Sequence, residues 1–377
     1  MRRWSDPAPG EREAADRSWD VVRRAYDERL PAPRRRDRRP FVVVAIAAAL
    51  LAAALSPPGL AVWGSLRDAV RGEQNTRPAL FSLPVPHSRL LVNSAEGAWV
   101  VQSDGSKRLL AGYREASWSP HGLYVAAING DELRALEPDG DVHWSIARPA
   151  LAAPRWSSEG HGDERIAYLA RQTLRVIGGD GRGDRALARR VFHVAAAWRP
   201  RTHVLAYVDG GSRLVVRNAD NGAVMWRASL PQPPRALEWS GDGEYLLARG
   251  RSSLTVFGYR GTPRLTPLGP GAAPVVDAAF QPLSRAIAFV QRAGKRSVVW
   301  FYPRLVPDGT AARRVLAVSG SFDRVAWSPD ARWLLLSWRS ADEWLFIRSA
   351  TVRKVIPVAG IDAAFGPAAV PAGWCCP

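Results

Sequence analysis

A short phrase built on tryptophan recurs along this chain about every forty residues, and no other feature restricts its folding so tightly. The fullest copy is Trp327-Ser328-Pro329-Asp330-Ala331-Arg332, followed by Trp333-Leu334-Leu335-Leu336. It reads as a strand end, a tight polar turn and a second, apolar strand. Trp118-Ser119-Pro120-His121-Gly122, Trp156-Ser157-Ser158-Glu159-Gly160 and Trp239-Ser240-Gly241-Asp242-Gly243 are further copies, and Trp198-Arg199-Pro200, Phe280-Gln281-Pro282 and Phe365-Gly366-Pro367 are degraded ones. The spacings between the seven anchors are 38, 42, 41, 41, 47 and 38. A fixed period of ~40–45 residues is that of four-stranded propeller blades, each of which must stack on neighbours to bury its apolar faces.

Each repeat carries the strands a blade needs. After the anchor comes an apolar strand such as Val204-Leu205-Ala206-Tyr207-Val208, then an alternating one such as Leu254-Thr255-Val256-Phe257, then a short one such as Val142-His143-Trp144. The anchors from Trp118 to Trp327 begin six complete repeats. Before them, Leu90-Leu91-Val92, Ala98-Trp99-Val100-Val101 and Arg108-Leu109-Leu110 supply three strands without an anchor. After them, Ile361-Asp362-Ala363-Ala364-Phe365 supplies an anchor strand without followers. The two fragments complete each other, so the expectation is an all-β, seven-bladed β-propeller over residues 87–370, with one blade closed by strands from both chain ends. Ring closure removes the open sheet edges that would otherwise template aggregation.

The phrases at 327 and 118 resemble the Trp-Ser-Pro-Asp-Gly turn of TolB-type, WD-repeat-like propellers. The resemblance covers residues 87–370 and implies the fold. It assigns no site residue, because the phrase is structural in such proteins. The whole layout resembles that of membrane-anchored propeller proteins of actinobacteria.

The membrane part of that layout rests on residues 1–86. Residues 1–40 form an arginine-rich tail, with an amphipathic helix expected over 11–30. Ala15, Trp19, Val22, Tyr26 and Leu30 share one of its faces, and Pro31 and Pro33 end it. Trp19, Val22, Tyr26 and Leu30 are its candidate partner-binding residues, for a groove on a cytoplasmic protein. The opposing reading is a weakly helical tail that touches nothing or lies on the membrane surface. Residues 34–39 hold five arginines directly before an apolar run, the positive-inside pattern. Phe41 to Leu55 is uninterrupted and apolar, and Leu60-Ala61-Val62-Trp63 extends it past a Pro-Pro-Gly break. Residues 41–63 together have the length of one transmembrane helix. The rival is a cleaved export signal, suggested by Arg38-Arg39 before the run. A patterned forty-residue leader and the prolines at 57 and 58 argue against cleavage. Either reading places the propeller outside the cytoplasmic membrane of a bacterium. Residues 64–86 read as a proline-bearing stalk.

Composition enters at two points. The formal charge of +17 and pI near 11.0 suggest a nucleic-acid partner. Yet lysine occurs at only three positions, leaving 49 of the 52 basic residues to arginine, as a GC-rich coding sequence gives, and no basic helix, zinc-finger spacing or RNA-binding signature accompanies them. Nucleic acid is therefore not the expected partner. The only cysteines, Cys375 and Cys376, are adjacent near the C-terminus and read as thiols on a frayed tail spanning 371–377.

No residue set carries catalysis, a cofactor or a metal. The six histidines are scattered over several repeats, and His121 holds a turn position filled by Asp330 or Asp242 elsewhere. The loop Gly178-Gly179-Asp180-Gly181-Arg182-Gly183-Asp184 has two carboxylates, too few for a calcium ion that takes six to eight oxygens. Gly140-Asp141-Val142-His143-Trp144 and Asn221-Gly222-Ala223-Val224-Met225-Trp226 resemble quinoprotein phrases, but the repeat fits the TolB-type pattern better. The expected function is therefore a non-enzymatic, membrane-anchored binding module for a protein, peptide or envelope glycan. The alternative is a single-pass regulator resembling anti-sigma proteins, whose tail holds a cytoplasmic partner. A quinone-dependent or glycan-acting enzyme is the third reading.

Overall fold

In a computed structural model of the protein, the described residues are 82–157, 163–230, 232–268, 272–304, 312–348 and 354–376. Twenty-eight strands make up most of them. They are β1 (Arg89–Asn93), β2 (Gly97–Val101), β3 (Lys107–Ala111), β4 (Arg114–Trp118), β5 (Val125–Asn129), β6 (Glu132–Leu136), β7 (Val142–Ala147), β8 (Leu151–Trp156), β9 (Arg165–Ala170) and β10 (Thr173–Gly178). Next come β11 (Arg185–Arg189), β12 (Ala197–Trp198), β13 (Val204–Val208), β14 (Arg213–Asn218), β15 (Val224–Ser229), β16 (Ala236–Trp239), β17 (Tyr245–Arg249), β18 (Leu254–Gly258) and β19 (Pro263–Leu268). The last are β20 (Val275–Phe280), β21 (Ile287–Ala293), β22 (Arg296–Tyr302), β23 (Arg313–Ser319), β24 (Phe322–Trp327), β25 (Trp333–Trp338), β26 (Glu343–Arg348), β27 (Lys354–Ala359) and β28 (Val370–Cys375), with one short helix, α1 (Ile361–Phe365), before the last strand.

These strands form seven antiparallel four-stranded sheets. Six are runs of consecutive strands beginning at β4, β8, β12, β16, β20 and β24; the seventh has the order β28-β1-β2-β3. Numbered from the closing sheet, these are blades one to seven. The first strands of successive blades touch one another around a complete ring, β28 included, so they line a central channel. The chain is an all-β, seven-bladed propeller.

Burial follows position in the blade. The second strand has partners on both sides and neighbouring blades on both faces, so β13 and β25 are buried at every residue. The outermost strands β7 and β15 alternate exposed and half-buried residues, as a strand with one wet face does. The core is distributed between blades. Ala279, Val299 and Leu316 of blade six pack on Phe322, Trp327 and Leu345 of blade seven. Leu90, Val92 and Val101 of blade one pack on Trp333, Trp344 and Phe346 of blade seven. The latter contact seals the ring.

The recurring phrase has a hydrogen-bond explanation. Where a serine follows the anchor, it is buried, and its Oγ accepts the backbone N–H at the start of the next strand. Ser119 takes Tyr124 at 2.9 Å, Ser240 takes Tyr245 at 3.0 Å, Ser328 takes Trp333 at 2.9 Å and Ser157 takes Arg165 at 2.8 Å. The aspartate two residues later accepts a bond from that serine and another from a turn N–H, as with Asp330 and Arg332 at 3.1 Å. The turn thereby satisfies its own polar groups.

The closing strand corrects the sequence reading. Ile361–Phe365 is helix α1, and β28 closes the ring instead. Alanine-rich Ile-Asp-Ala-Ala-Phe has little strand preference, and its two large apolar residues sit four apart, on one helical face. Asp342 holds the helix start, its carboxylate accepting Asp362 N–H at 2.7 Å. Phe365 is buried against Trp344, with ring centroids 5.1 Å apart, and its carbonyl accepts Trp99 Nε1–H at 2.8 Å. The seventh anchor is Trp374. It pairs with Leu90, the second residue of β1, just as Trp327 pairs with Leu334. Cys375 thus takes the position of the repeat serines. Residues 371–375 are accordingly strand, and the reading of this end as a frayed tail gives way.

The packed body also begins before His87: Leu83 and Val85 are buried beside blade one, and Leu83 N–H bonds Ser103 O at 3.0 Å. The expected tail, the apolar segment at 41–63 and the stalk up to residue 81 lie outside the described residues. No helix among the described residues is long and apolar enough to cross a membrane.

Candidate functional site: channel and loop faces

Two surfaces of a propeller offer sites, the central channel and the loop faces. The channel wall consists of the inner edges of seven strands, whose backbone groups have no further strand to pair with. Carboxylates of one blade satisfy the next. Glu115 Oε2 accepts Ala153 N–H at 2.6 Å, Asp277 Oδ2 accepts Val325 N–H at 3.0 Å, and both Glu238 oxygens lie 3.3 Å from Phe280 N. Carbonyls on the same edges are served by donors from the preceding or following blade. Arg249 Nη1 donates to Val276 O at 2.9 Å, Trp198 Nε1 to Arg155 O at 3.0 Å, and Trp239 Nε1 to Ala197 O at 3.2 Å. The charged girdle therefore fastens adjacent blades along their inner edges.

Its electrostatics are uneven. Arg249 and Arg324 approach Asp277 at 3.5 and 3.7 Å. Arg155 points into the channel, open to water yet walled by protein; burial lowers its pKa, with Arg324 across the channel adding to the effect. Glu238 is the outlier. Burial pushes its carboxyl up to about 8, Asp277 nearby raises it further, and the Phe280 N–H and Arg249 pull it back only in part. It carries its proton at neutral pH. Neither Arg155 nor Glu238 stood out in the sequence, because only closure of the ring brings them together.

The loops fall into two sets. Turns between first and second strands and between third and fourth lie at one end of the blades. Turns between second and third strands, and the links from one blade to the next, lie at the other. At the first end, the loop Gly178–Asp184 serves structure. Gly181 has φ +80, and a Cβ there would meet the Trp144 ring at 2.8 Å, while Trp144 Nε1 donates to Gly179 O at 2.8 Å. Trp226 packs likewise on Gly261 one repeat further on. These contacts explain the tryptophans of the phrases that resemble quinoproteins. Asp184 is buried and engaged by Arg175 at 2.7 Å, Arg148 at 2.5 Å and the Tyr168 hydroxyl at 2.6 Å. Burial alone would raise its pKa; the bonds from Arg175, Tyr168 and Arg148 outweigh that and hold it below the ordinary value. Burial and the bond to Asp184 push Tyr168 up to about 12. His121 sits in the β4–β5 turn 3.9 Å from Glu164. His203 bonds Asp220 at 2.8 Å. Among the described residues no three His, Cys, Asp or Glu side chains are grouped to hold a metal.

Six of the seven repeat anchors stand in the first strands of blades. Trp118, Trp156, Trp198, Trp239, Phe280 and Trp327 each end the first strand of a blade, and Phe365 ends α1. The tail residues Trp19, Val22, Tyr26 and Leu30 lie outside the described residues.

Cys375 and Cys376 pack against the β4–β5 turn: a Cβ on Gly122 would lie 2.7 and 2.5 Å from their sulfurs. Arg89 donates to Gly122 O at 3.0 Å. The Cys375 thiol supports a thiolate on Cys376, whose pKa falls, with Arg89 helping, while that of Cys375 rises.

No protein-family model matches the chain, and no curated protein matches it. Solved structures do. One, described as a mitotic checkpoint complex, aligns over 70% of this chain and 95% of its own with TM-score 0.51 and 14% identity. A putative 6-phosphogluconolactonase from Bacteroides uniformis aligns over 76% and 99% with TM-score 0.54 and 14% identity. Another, from Bacteroides fragilis, aligns over 74% and 98% with TM-score 0.51 and 16% identity. At these identities the likeness is one of fold.

Proposed function

We propose that this chain is a membrane-anchored, extracytoplasmic propeller acting as a non-enzymatic binding module of TolB-like type, with a protein or peptide as partner. The observation that carries the reading is the channel girdle. Glu115, Glu238 and Asp277, the acids best placed for chemistry, are engaged with the backbone of the next blade, which leaves the loop faces to meet other molecules. A propeller of the same fold within a checkpoint complex supports a protein partner. The apolar run at 41–63 behind five arginines supports the anchor. The chain's two cysteines test the topology. Both lie on the propeller and are partly exposed, so a membrane-impermeant maleimide should label the full chain in intact cells. Labelling that requires permeabilised cells would overturn the placement.

A second reading is favoured by the tail. Its Trp19–Leu30 face has the spacing of a groove-binding helix, which fits a transmembrane regulator holding a cytoplasmic protein. Immobilised residues 1–40, against a Trp19→Ala, Tyr26→Ala control, should then retain one protein that the control loses. Equal retention by both peptides removes this reading. An enzymatic role, which the two lactonase-described neighbours keep in view, would need reproducible turnover by the purified chain.

A further inference from the structure

A groove of about 940 Å³ opens on the face formed by the blade-to-blade links, between blades three and four. Its walls are the β9–β10 hairpin at Arg171, the link after β11 at Arg189 to His193, and the β13–β14 hairpin from Asp209 to Arg213. The three walls are tied together. Val191 N–H bonds Gln172 O at 3.0 Å, Phe192 N–H bonds Val208 O at 2.8 Å, and Val191 forms a bridge with Asp209. Gly210 allows the approach, since a Cβ there would lie 2.8 Å from Arg190 O. Val191 is buried beneath, in the apolar cluster shared by the two blades. The groove is thus preformed.

Its charge is unbalanced. Asp209 is the carboxylate on its wall, and Arg213 engages it at 2.9 Å. Arg171, Arg189 and Arg190 are exposed, and among the described residues none has a side-chain hydrogen bond or an ion pair. Other arginines of the propeller, among them Arg148, Arg165, Arg175 and Arg285, are engaged by carboxylates. Two of the three unpaired arginines also occupy left-handed backbone positions, Arg171 at φ 55 and Arg190 at φ 53, where glycine would sit without strain. Phe192 adds an apolar face, 40% exposed.

We propose that this groove binds a multivalent oxyanion, a ligand bearing two or more phosphate or carboxylate groups. A guanidinium matches either group with paired N–H donors. Three such forks on one preformed surface select a ligand that engages several at once. The volume lies in the range of sites for whole small molecules and exceeds what one small ion fills. Phe192 offers packing for the uncharged part of such a ligand. The proposal goes beyond the protein- or peptide-binding reading and does not rest on it. The maleimide result does not depend on the groove, so the two fail separately.

The test is calorimetric titration of the full chain with tripolyphosphate, citrate and sulfate at fixed ionic strength. Saturable binding of tripolyphosphate or citrate is expected, with the tighter of the two assigning phosphate or carboxylate as the preferred group. Sulfate should bind at least tenfold more weakly. The double variant R171G/R190G should weaken the polyanion at least tenfold. It is chosen because glycine suits both backbone positions, so loss of fold is not the expected result. R182Q/R201G removes the same two charges from the opposite loop face and should change binding less than twofold. Absence of saturable polyanion binding, sulfate binding as tightly, or equal weakening by both doubles would each overturn the proposal; the last would reduce the effect to general attraction by a chain of charge +17.

Discussion

Glu238→Gln should make this protein more stable, and only at high pH. The carboxyl has an ordinary value of 4.5 in the unfolded chain and about 8 in the channel. Below 4.5 both states hold the proton, so folding does not depend on it. Between 4.5 and about 8 the folded state keeps a proton that the unfolded state releases, so stability falls as pH rises. Above about 8 both are ionised, and the loss is complete. At about 1.4 kcal/mol per pH unit the ceiling is roughly 5 kcal/mol. Glu238 is half-buried by its exposed surface, so we expect about 1–3 kcal/mol once solvent screening is allowed for. Glutamine keeps an oxygen for the Phe280 N–H and brings no charge near Asp277. The assay is thermal unfolding of both proteins from pH 5 to pH 9. At roughly 2 °C per kcal/mol for a domain of this size, the variant should melt about 2–6 °C higher at pH 9 and nearly level with the parent at pH 5. All other titrating groups are common to both proteins and cancel in the difference. A gap that stays constant with pH, or a variant that is weaker at pH 9, would refute a proton held on Glu238.

The remaining expectations concern structure and reactivity. Asp184→Asn leaves Arg175 and Arg148 without their anion and should cost about 2–4 kcal/mol in urea unfolding. Because the Asp184 pKa is depressed, that deficit should be full above the ordinary carboxylate value and shrink as pH falls through the folded one. Trp374→Ala removes the true seventh anchor and should cost about 3 kcal/mol, with limited proteolysis finding new cleavage around β1. Gly181→Ala forces a Cβ into the Trp144 ring at a left-handed position and should lower stability by about 1–3 kcal/mol. Iodoacetamide at neutral pH should modify Cys376 ahead of Cys375, read by peptide mass, and reversal of that order would contradict the lowered Cys376 and raised Cys375 pKa values.

The blade count was legible because the anchoring turn is local chemistry. A buried serine and its aspartate must lie at fixed offsets from the tryptophan, and spacing alone reveals them. The closing strand was misplaced for the same reason. Phe365-Gly366-Pro367 imitates the phrase, whereas Trp374 is followed by Cys375 in place of the serine. The interval from Trp327 to Trp374, 47 residues like that from Phe280 to Trp327, was the available signal. The channel girdle and the arginine groove were not legible. Glu115 and Ala153, or Arg171 and Arg190, belong to separate segments with no shared motif, and only stacking of the blades brings them together.

The position of β28 sets a timetable for the ribosome. β1 emerges near residue 89, but its partner strand ends at Cys375. At ~5–20 residues per second, the first blade waits some 15–60 s for its missing strand. Until then the β1 edge lacks its partner, and Leu90, Val92 and Val101 lack the blade-seven side chains that cover them. A chain cut short before Val370 would still hold six whole blades, yet form an open arc with a sticky lip. Closure of the whole ring therefore waits on one six-residue strand.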